Sequence, residues 1–267
     1  MRGYINYFKT QAINELQYKA AAFAGISTQV FWGFLNTMVF VAFYSHVSTS
    51  VDITLSQLIT YVWLNQAFLR LVYVRVIDST LLKQIKNGNV AYELCRPYNL
   101  YNWWFIKYFA QKYASVLLRF LPIIILGVLL PSPYTLMGPS SPISFILFII
   151  SLILGSLVLI AIQMIILCIA FFTNEGKGIS DILFIIGDIL AGSVFPLPLM
   201  PKIVQNISSY LPFRLIADLP FRTYSGNILI SAACTSIIAQ VVWLAILLIL
   251  GQLIMKVALR KVCIQGG

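Results

Sequence analysis

The chain has 267 residues, of which 60% are hydrophobic and only 10% charged, with a formal net charge of +10 and a mean hydropathy of +0.90. Soluble domains are about half apolar and about a quarter charged, so this composition excludes an ordinary soluble enzyme and fits an all-α polytopic membrane protein. The apolar residues fall in continuous blocks instead of alternating with polar ones in segments of about ten, which excludes a transmembrane β-barrel.

At the N-terminus, Ile5, Phe8, Ala12 and Leu16 recur at helical spacing opposite Lys9, Asn14 and Lys19. This pattern predicts a helix over residues 1–20 lying in the cytoplasmic membrane interface, with a plain cytosolic extension of the first membrane helix as the alternative. Charges spread through this stretch predict that it is not a cleavable leader. A span needs about 20 apolar helical residues. Six stretches meet or approach that length, near 22–44, 55–75, 104–130, 143–172, 179–195 and 229–255.

Cytoplasmic loops retain Lys and Arg, which sets the orientation. With both termini inside, the cytosolic set is Arg2, Lys9, Lys19, Arg75, Lys83, Lys86, Arg96, Lys107, Lys112, Lys177, Lys256, Arg260 and Lys261, leaving only Lys202, Arg214 and Arg222 outside. The positive charge is therefore a topology signal. No basic run is interleaved with stacking aromatics, so nucleic acid is not an expected partner.

The second stretch is polar for a span, carrying Gln57, Asn65, Gln66 and Arg70, so one face must point into protein and away from lipid. It is expected to continue into the cytosol through Arg75, Asp78, Lys83 and Lys86 until Asn87, Gly88 and Asn89 stop it, with Gly88 taking the left-handed conformation that ends helices. Residues 90–94 then offer another helical turn before Pro97, and Trp103 and Trp104 mark re-entry at headgroup level. The result is a cytosolic hairpin over 76–102 with an exposed amphipathic tip made of Val90, Ala91, Tyr92, Glu93, Leu94 and Arg96. Such a tip suits docking into a groove on a cytosolic partner, with Tyr92 and Leu94 as apolar anchors and Glu93 and Arg96 as charged contacts. An ordinary capped loop is the simpler alternative.

Further along, the very apolar fourth stretch is relieved only by Gly155, Ser156 and Gln163, and a tight cytosolic turn over 173–181 leads to the fifth. Pro196, Pro198 and Pro201 end the fifth stretch, because proline lacks the N–H that would continue a helix and restricts the residue before it. The segment 196–228 is then extracytosolic, and its interrupted apolar residues predict short helices on or in the outer leaflet, against the alternative of a surface loop.

Three ionisable residues, Arg70, Arg119 and Asp188, fall near or within membrane depth, where charge is costly unless paired or functional. Arg119 and Asp188 lie midway along their stretches and are the expected pair, either as a structural ion pair or as a substrate-contacting or gating element. Phe31, Phe34 and Met38 read as packing residues. Cys95 and Cys263 fall on the cytosolic side and Cys168 and Cys234 within spans, so no disulfide is expected. The spacing holds no metal motif, and His46 has no ligand partner near it in sequence. Asp181 and Asp188 are on one predicted helix, unlike the facing carboxylates of an aspartyl protease, and no nucleophile and base come together. The chain is thus not expected to be an enzyme. The phosphate-cradling motif G-x-x-x-x-G-K-[ST] is also absent, so any ATP and Mg²⁺ would reside on a separate ATPase. An ion-coupled carrier, which would show paired discontinuous helices, is a weaker alternative, as is a non-transporting immunity or sensor subunit.

With these residues in view, QIKNGNVAYELCRPYN at 84–99 resembles a cytosolic-loop pattern of ABC-2 type permeases, in the branch formed by membrane subunits of bacterial ABC exporters. AGSVFPLPLMP at 191–201, LPF at 211–213, PFRTYSGN at 220–227 and the terminal VCIQGG resemble further family features, in the right order along the chain. Gln84 stands where the family usually has an acid, and Cys95 where it has an aliphatic residue. The resemblance implies one domain over 1–267 with six spans, its loop between spans 2 and 3 docking on an ATPase present in two copies. It further implies a second, related permease (heterodimer over homodimer), export, and a place in the bacterial inner membrane. The cargo is open.

Overall fold

The computed structural model describes residues 2–17, 19–46, 52–74, 79–172 and 176–260, and every regular element among them is helical. In chain order these are α1 (Arg2–Gln17), α2 (Lys19–His46), α3 (Leu55–Ala67), α4 (Leu69–Val72), α5 (Ser79–Lys86), α6 (Val90–Leu94), α7 (Leu100–Leu129), α8 (Pro142–Ile169) and α9 (Gly176–Ala191). A 3-10 turn at Leu197–Leu199, α10 (Lys202–Tyr210), a second 3-10 turn at Pro212–Leu215, α11 (Asp218–Tyr224) and α12 (Ile230–Arg260) complete the set.

Among the described residues four helices, α2, α7, α8 and α12, are long and apolar enough to cross a membrane. The other two predicted spans are built differently. Stretch 55–75 divides into α3 and α4 around Phe68, and the 13 residues of α3 rise about 20 Å, short of a bilayer core of about 30 Å. The fifth stretch forms the 16-residue α9, ending at Ala191. The polar content of α3 explains its place. Every residue from 58 to 67 is buried, so Thr60, Asn65 and Gln66 meet protein in place of lipid.

Local chemistry sets the helix starts. Thr54 and Gln57 form a reciprocal capping box on α3, in which Gln57 N–H donates to Thr54 Oγ1 at 3.3 Å and Thr54 N–H donates to Gln57 Oε1 at 3.1 Å. Asn99 caps α7 by accepting from Asn102 N–H at 3.1 Å, and Ser141 caps α8 by accepting from Ser144 N–H at 3.0 Å, with Pro142 in the first turn. Gly88, at φ +71°, ends the turn after α5, as its sequence context predicts.

Small residues let the layers close. The Trp63 ring of α3 lies between α2 and α7, where a Cβ on Gly33 would come within 2.8 Å of the ring and one on Gly127 within 3.2 Å. Its indole N–H donates to Tyr134 O at 2.9 Å. Near the middle of α8, Gly155 admits the chain after the Pro212–Leu215 turn: a Cβ there would stand 2.8 Å from Leu215 O and 3.0 Å from Ile216 O. Gln240 of α12 ties the same level together by donating to Ser151 O at 2.9 Å and Leu215 O at 2.8 Å.

Backbone oxygens cannot rotate away from a new methyl group as a flexible side chain would. Gly155→Ala should therefore destabilise the fold by about 1–3 kcal/mol, whereas Gly138→Ala, with open space around it, should not. Thermal unfolding of the two detergent-solubilised variants checks this.

Candidate functional site

Two regions carry most of the residues singled out from sequence, and they adjoin along the chain. The first is the tip formed by α5 and α6. Val90 is 1% exposed and packs in a cluster with Leu81, Leu100, Tyr101, Trp104 and Met255, so it anchors the tip inward and is not part of its outer face. Tyr92, at 78% exposed, and Leu94 point outward, with Ala91 partly covered between them. Glu93 and Arg96 approach to 3.8 Å within the tip, a surface pair of small energetic value. The Arg96 guanidinium lies 5.8 Å over Trp103, which also stacks with Tyr98 at 4.8 Å and with Tyr7 of α1 at 3.7 Å. This aromatic stack fastens the base of the tip to α1 and α7.

The second region is the interruption of the helix leading to that tip. Phe68 departs from helical geometry (φ −105°, ψ 17°), α4 makes one turn, and Tyr73 is extended (φ −83°, ψ 122°). The stretch from 55 therefore does not run unbroken toward the tip, and Arg75 and Asp78, expected on the way, lie outside the described residues. Leaving the helix frees backbone groups inside a water-poor interior, where each unmet one costs several kcal/mol. They are met from three other helices or the loop beyond them. Lys112 Nζ of α7 donates to Arg70 O at 3.0 Å, and Ser193 Oγ, just after α9, donates to Val72 O at 3.2 Å. Val74 N–H donates to Asp188 Oδ1 of α9 at 2.6 Å, and Gln163 Nε2 of α8 donates to Val74 O at 2.8 Å. Above the break, Asn65 Nδ2 donates to Ser193 O at 2.6 Å and Tyr61 Oη to Gly192 O at 2.9 Å.

The membrane-depth charges are arranged differently from expectation. The Arg119 guanidinium turns to α2, donating to Ala21 O at 3.5 Å and packing on Gly25, and it does not pair with Asp188. Asp188 is buried under Val74, and Arg70 has Glu15 and Arg119 in electrostatic reach. Lys112, 2% exposed, is a cation within electrostatic reach of Asp188. The sequence groups Lys112 with the cytosolic lysines, yet it lies well inside the apolar stretch 104–130, and that depth is the signal that sets it apart. Ser193 carried no comparable signal.

Beyond α9 the chain turns at Gly192, φ +75°, and Pro196 and Pro198 shape the 3-10 turn at Leu197–Leu199 while Pro201 precedes α10. The segment is not a surface loop. Its second half is core: Phe221 meets Tyr61 edge to face at 5.2 Å and Tyr224 meets Phe148 at 5.1 Å. Asp218 is fully buried, and this burial pushes its carboxyl above the usual range, while Arg222, whose Nη1 lies 3.3 Å away, pulls the other way. The first half stays open, with Ile203, Ile207 and Tyr210 of α10 exposed on one face. Among the described residues, Cys95, Cys168 and Cys234 are free, and no group of three or more His, Cys, Asp or Glu is placed to hold a metal.

A family model described as ABC-2 family transporter protein matches residues 30–266. The chain belongs to that family. None of the curated proteins compared with it matches. This permease is accordingly a multi-pass membrane component of an ABC transporter, a class whose members work with an ABC ATPase.

The interruption yields a direct test. Lys112→Met and Gln163→Leu each leave a buried carbonyl without its donor, and each should cost about 1–3 kcal/mol of stability. The exposed Lys202→Met should be neutral. Melting curves of the purified variants measure all three.

Proposed function

We propose that this permease forms half of the translocation pathway of an ATP-driven exporter and is moved by a separate ATPase that docks on the tip around α6. The observation that carries this reading is the combination of an exposed Tyr92–Leu94 face with its attachment, through α5 and four intervening residues, to an interrupted helix. A tip fixed to a rigid, continuous helix would transmit motion only as a whole-body tilt. Here the link passes through backbone whose hydrogen bonds are shared among α7, α8 and the end of α9, so displacement of the tip repartitions contacts among three membrane helices.

In this reading ATP and Mg²⁺ sit on two ATPase copies, and closure of that pair pushes on Tyr92, Glu93, Leu94 and Arg96, with Val90 and Ala91 holding the tip in place. Lys112, Gln163 and Asp188 act as positioning residues that keep the two sides of the break in register. Both termini are cytosolic in the bacterial inner membrane, α1 lies at the cytoplasmic interface, and α10 rests against the outer leaflet with Ile203 and Ile207 toward lipid. The apolar outward faces of α2 (Phe31, Leu35, Met38) and α9 (Ile182, Ile185, Ile189) are exposed and offer a surface for a second, related permease.

The test is co-purification from the native membrane in mild detergent. Wild-type chain should bring down an ATPase and a second permease. The Tyr92→Ala, Leu94→Ala, Arg96→Ala triple variant should lose at least about tenfold of the ATPase, since truncated anchors typically cost about 2 kcal/mol or more each, while retaining the permease partner and an unchanged melting temperature. Full retention of the ATPase by the variant overturns the docking site. Recovery without any ATPase points instead to an ion-coupled carrier.

A further inference from the structure

Away from both regions, α1, α7 and α12 enclose a laterally open cavity of about 500 Å³ that the coupling reading does not use. Its walls are Tyr4 and Ile5 of α1, Tyr101, Asn102, Phe105 and Ile106 of α7, and Leu248 and Gln252 of α12. We infer that this groove binds a phospholipid with an anionic headgroup, one acyl chain lying along Phe105, Ile106 and Leu248 and the headgroup at the end bearing Asn102 and Gln252.

Three observations support that occupant over a peptide or a helix of another subunit. The lining is overwhelmingly apolar, yet two uncharged amide side chains, both exposed, stand on adjacent walls, an arrangement that suits an aliphatic tail ending in a polar ester and phosphate. The groove begins beside the Tyr4, Tyr7, Tyr98 and Trp103 stack, and such aromatic clusters sit at headgroup depth. The charges that flank it have one sign. Exposed Lys256 lies one helical turn beyond Gln252, at the headgroup end, and no Asp or Glu falls within a turn of any lining residue. A surface cation near an anionic lipid is worth about 1 kcal/mol, a preference of about fivefold for an anionic over a zwitterionic headgroup. That the lipid comes from the cytosolic leaflet rests on the orientation proposed above; the binding itself does not.

Native mass spectrometry of the purified full chain, titrated with phosphatidylglycerol or with phosphatidylcholine of matched acyl chains, reads the site without ATPase or transport. Wild type should retain phosphatidylglycerol about fivefold more strongly than phosphatidylcholine. Lys256→Gln should erase that preference while still binding both lipids, Lys9→Gln at the other end of the groove should keep it, and Gln252→Trp, which fills the groove mouth, should cut retention of both. Equal binding of the two lipids by wild type, or unchanged phosphatidylglycerol binding in Gln252→Trp, overturns the proposal. A Leu121→Trp change on the lipid-facing side of α7, outside the groove, should leave binding as in wild type; a matching loss there shows nonspecific binding and also overturns it. Because lipid retention is measured on the isolated chain, its failure is independent of whether an ATPase docks on the tip.

Discussion

Inside a membrane protein, a helix cannot simply stop. Each backbone N–H and C=O that leaves the helical ladder needs a partner, because neither lipid tails nor apolar side chains supply one. The chain between Phe68 and Val74 breaks that ladder, and much of the arrangement around it answers the demand. Lys112, Gln163, Asp188 and Ser193 are drawn from distant parts of the sequence to meet backbone groups of Arg70, Val72 and Val74. Their convergence fixes how α7, α8 and α9 stand around α3 and α4. An apolar core without this obligation would tolerate many rotations of those helices; hydrogen bonds with directional geometry tolerate few.

Much of the architecture could be read from the chain because a bilayer imposes a length and a polarity on every helix that faces it. The apolar stretches at 22–44, 104–130, 143–172 and 229–255 each coincide with one long helix to within three residues at the overrunning end, and the polar residues Asn65 and Gln66 marked the second stretch as having a face toward protein, although the burial of every residue from 58 to 67 goes further. Less accessible was everything that depends on rotation about a helix axis. Arg119 and Asp188 are at comparable positions along their stretches, but position along an axis says nothing of direction, and Arg119 turns toward the small residues Ala21 and Gly25. Val90 illustrates the same difficulty on a smaller scale: a short amphipathic turn shows which residues share a face, not which face is covered.

Lys112 was hidden for another reason. Lysines normally mark loops, and the rule that reads topology from them assumes that a lysine within reach of the surface stays there. Here the ammonium has a carbonyl acceptor freed by the helix break, and the break itself has no strong local signal, since Phe68 is neither proline nor glycine. The departure from the helix and the residue that makes it tolerable are each understandable only once the other is known. The outer segment shows a related coupling: the bare face of Gly155 in α8 makes room for the carbonyls of Leu215 and Ile216, so a missing side chain in one element defines the path of another.

The Trp63 wedge has a mechanical corollary. With its ring seated against both Gly33 and Gly127 and its indole held by Tyr134, the part of α3 before the break is clamped to α2 and α7, whereas the part after it is suspended on side chains. If the tip is driven as proposed above, a load arriving beyond Val74 would act on hydrogen bonds to single side chains before it reaches the clamped part of α3, and Trp63 would be the fulcrum about which the segment following Phe68 moves.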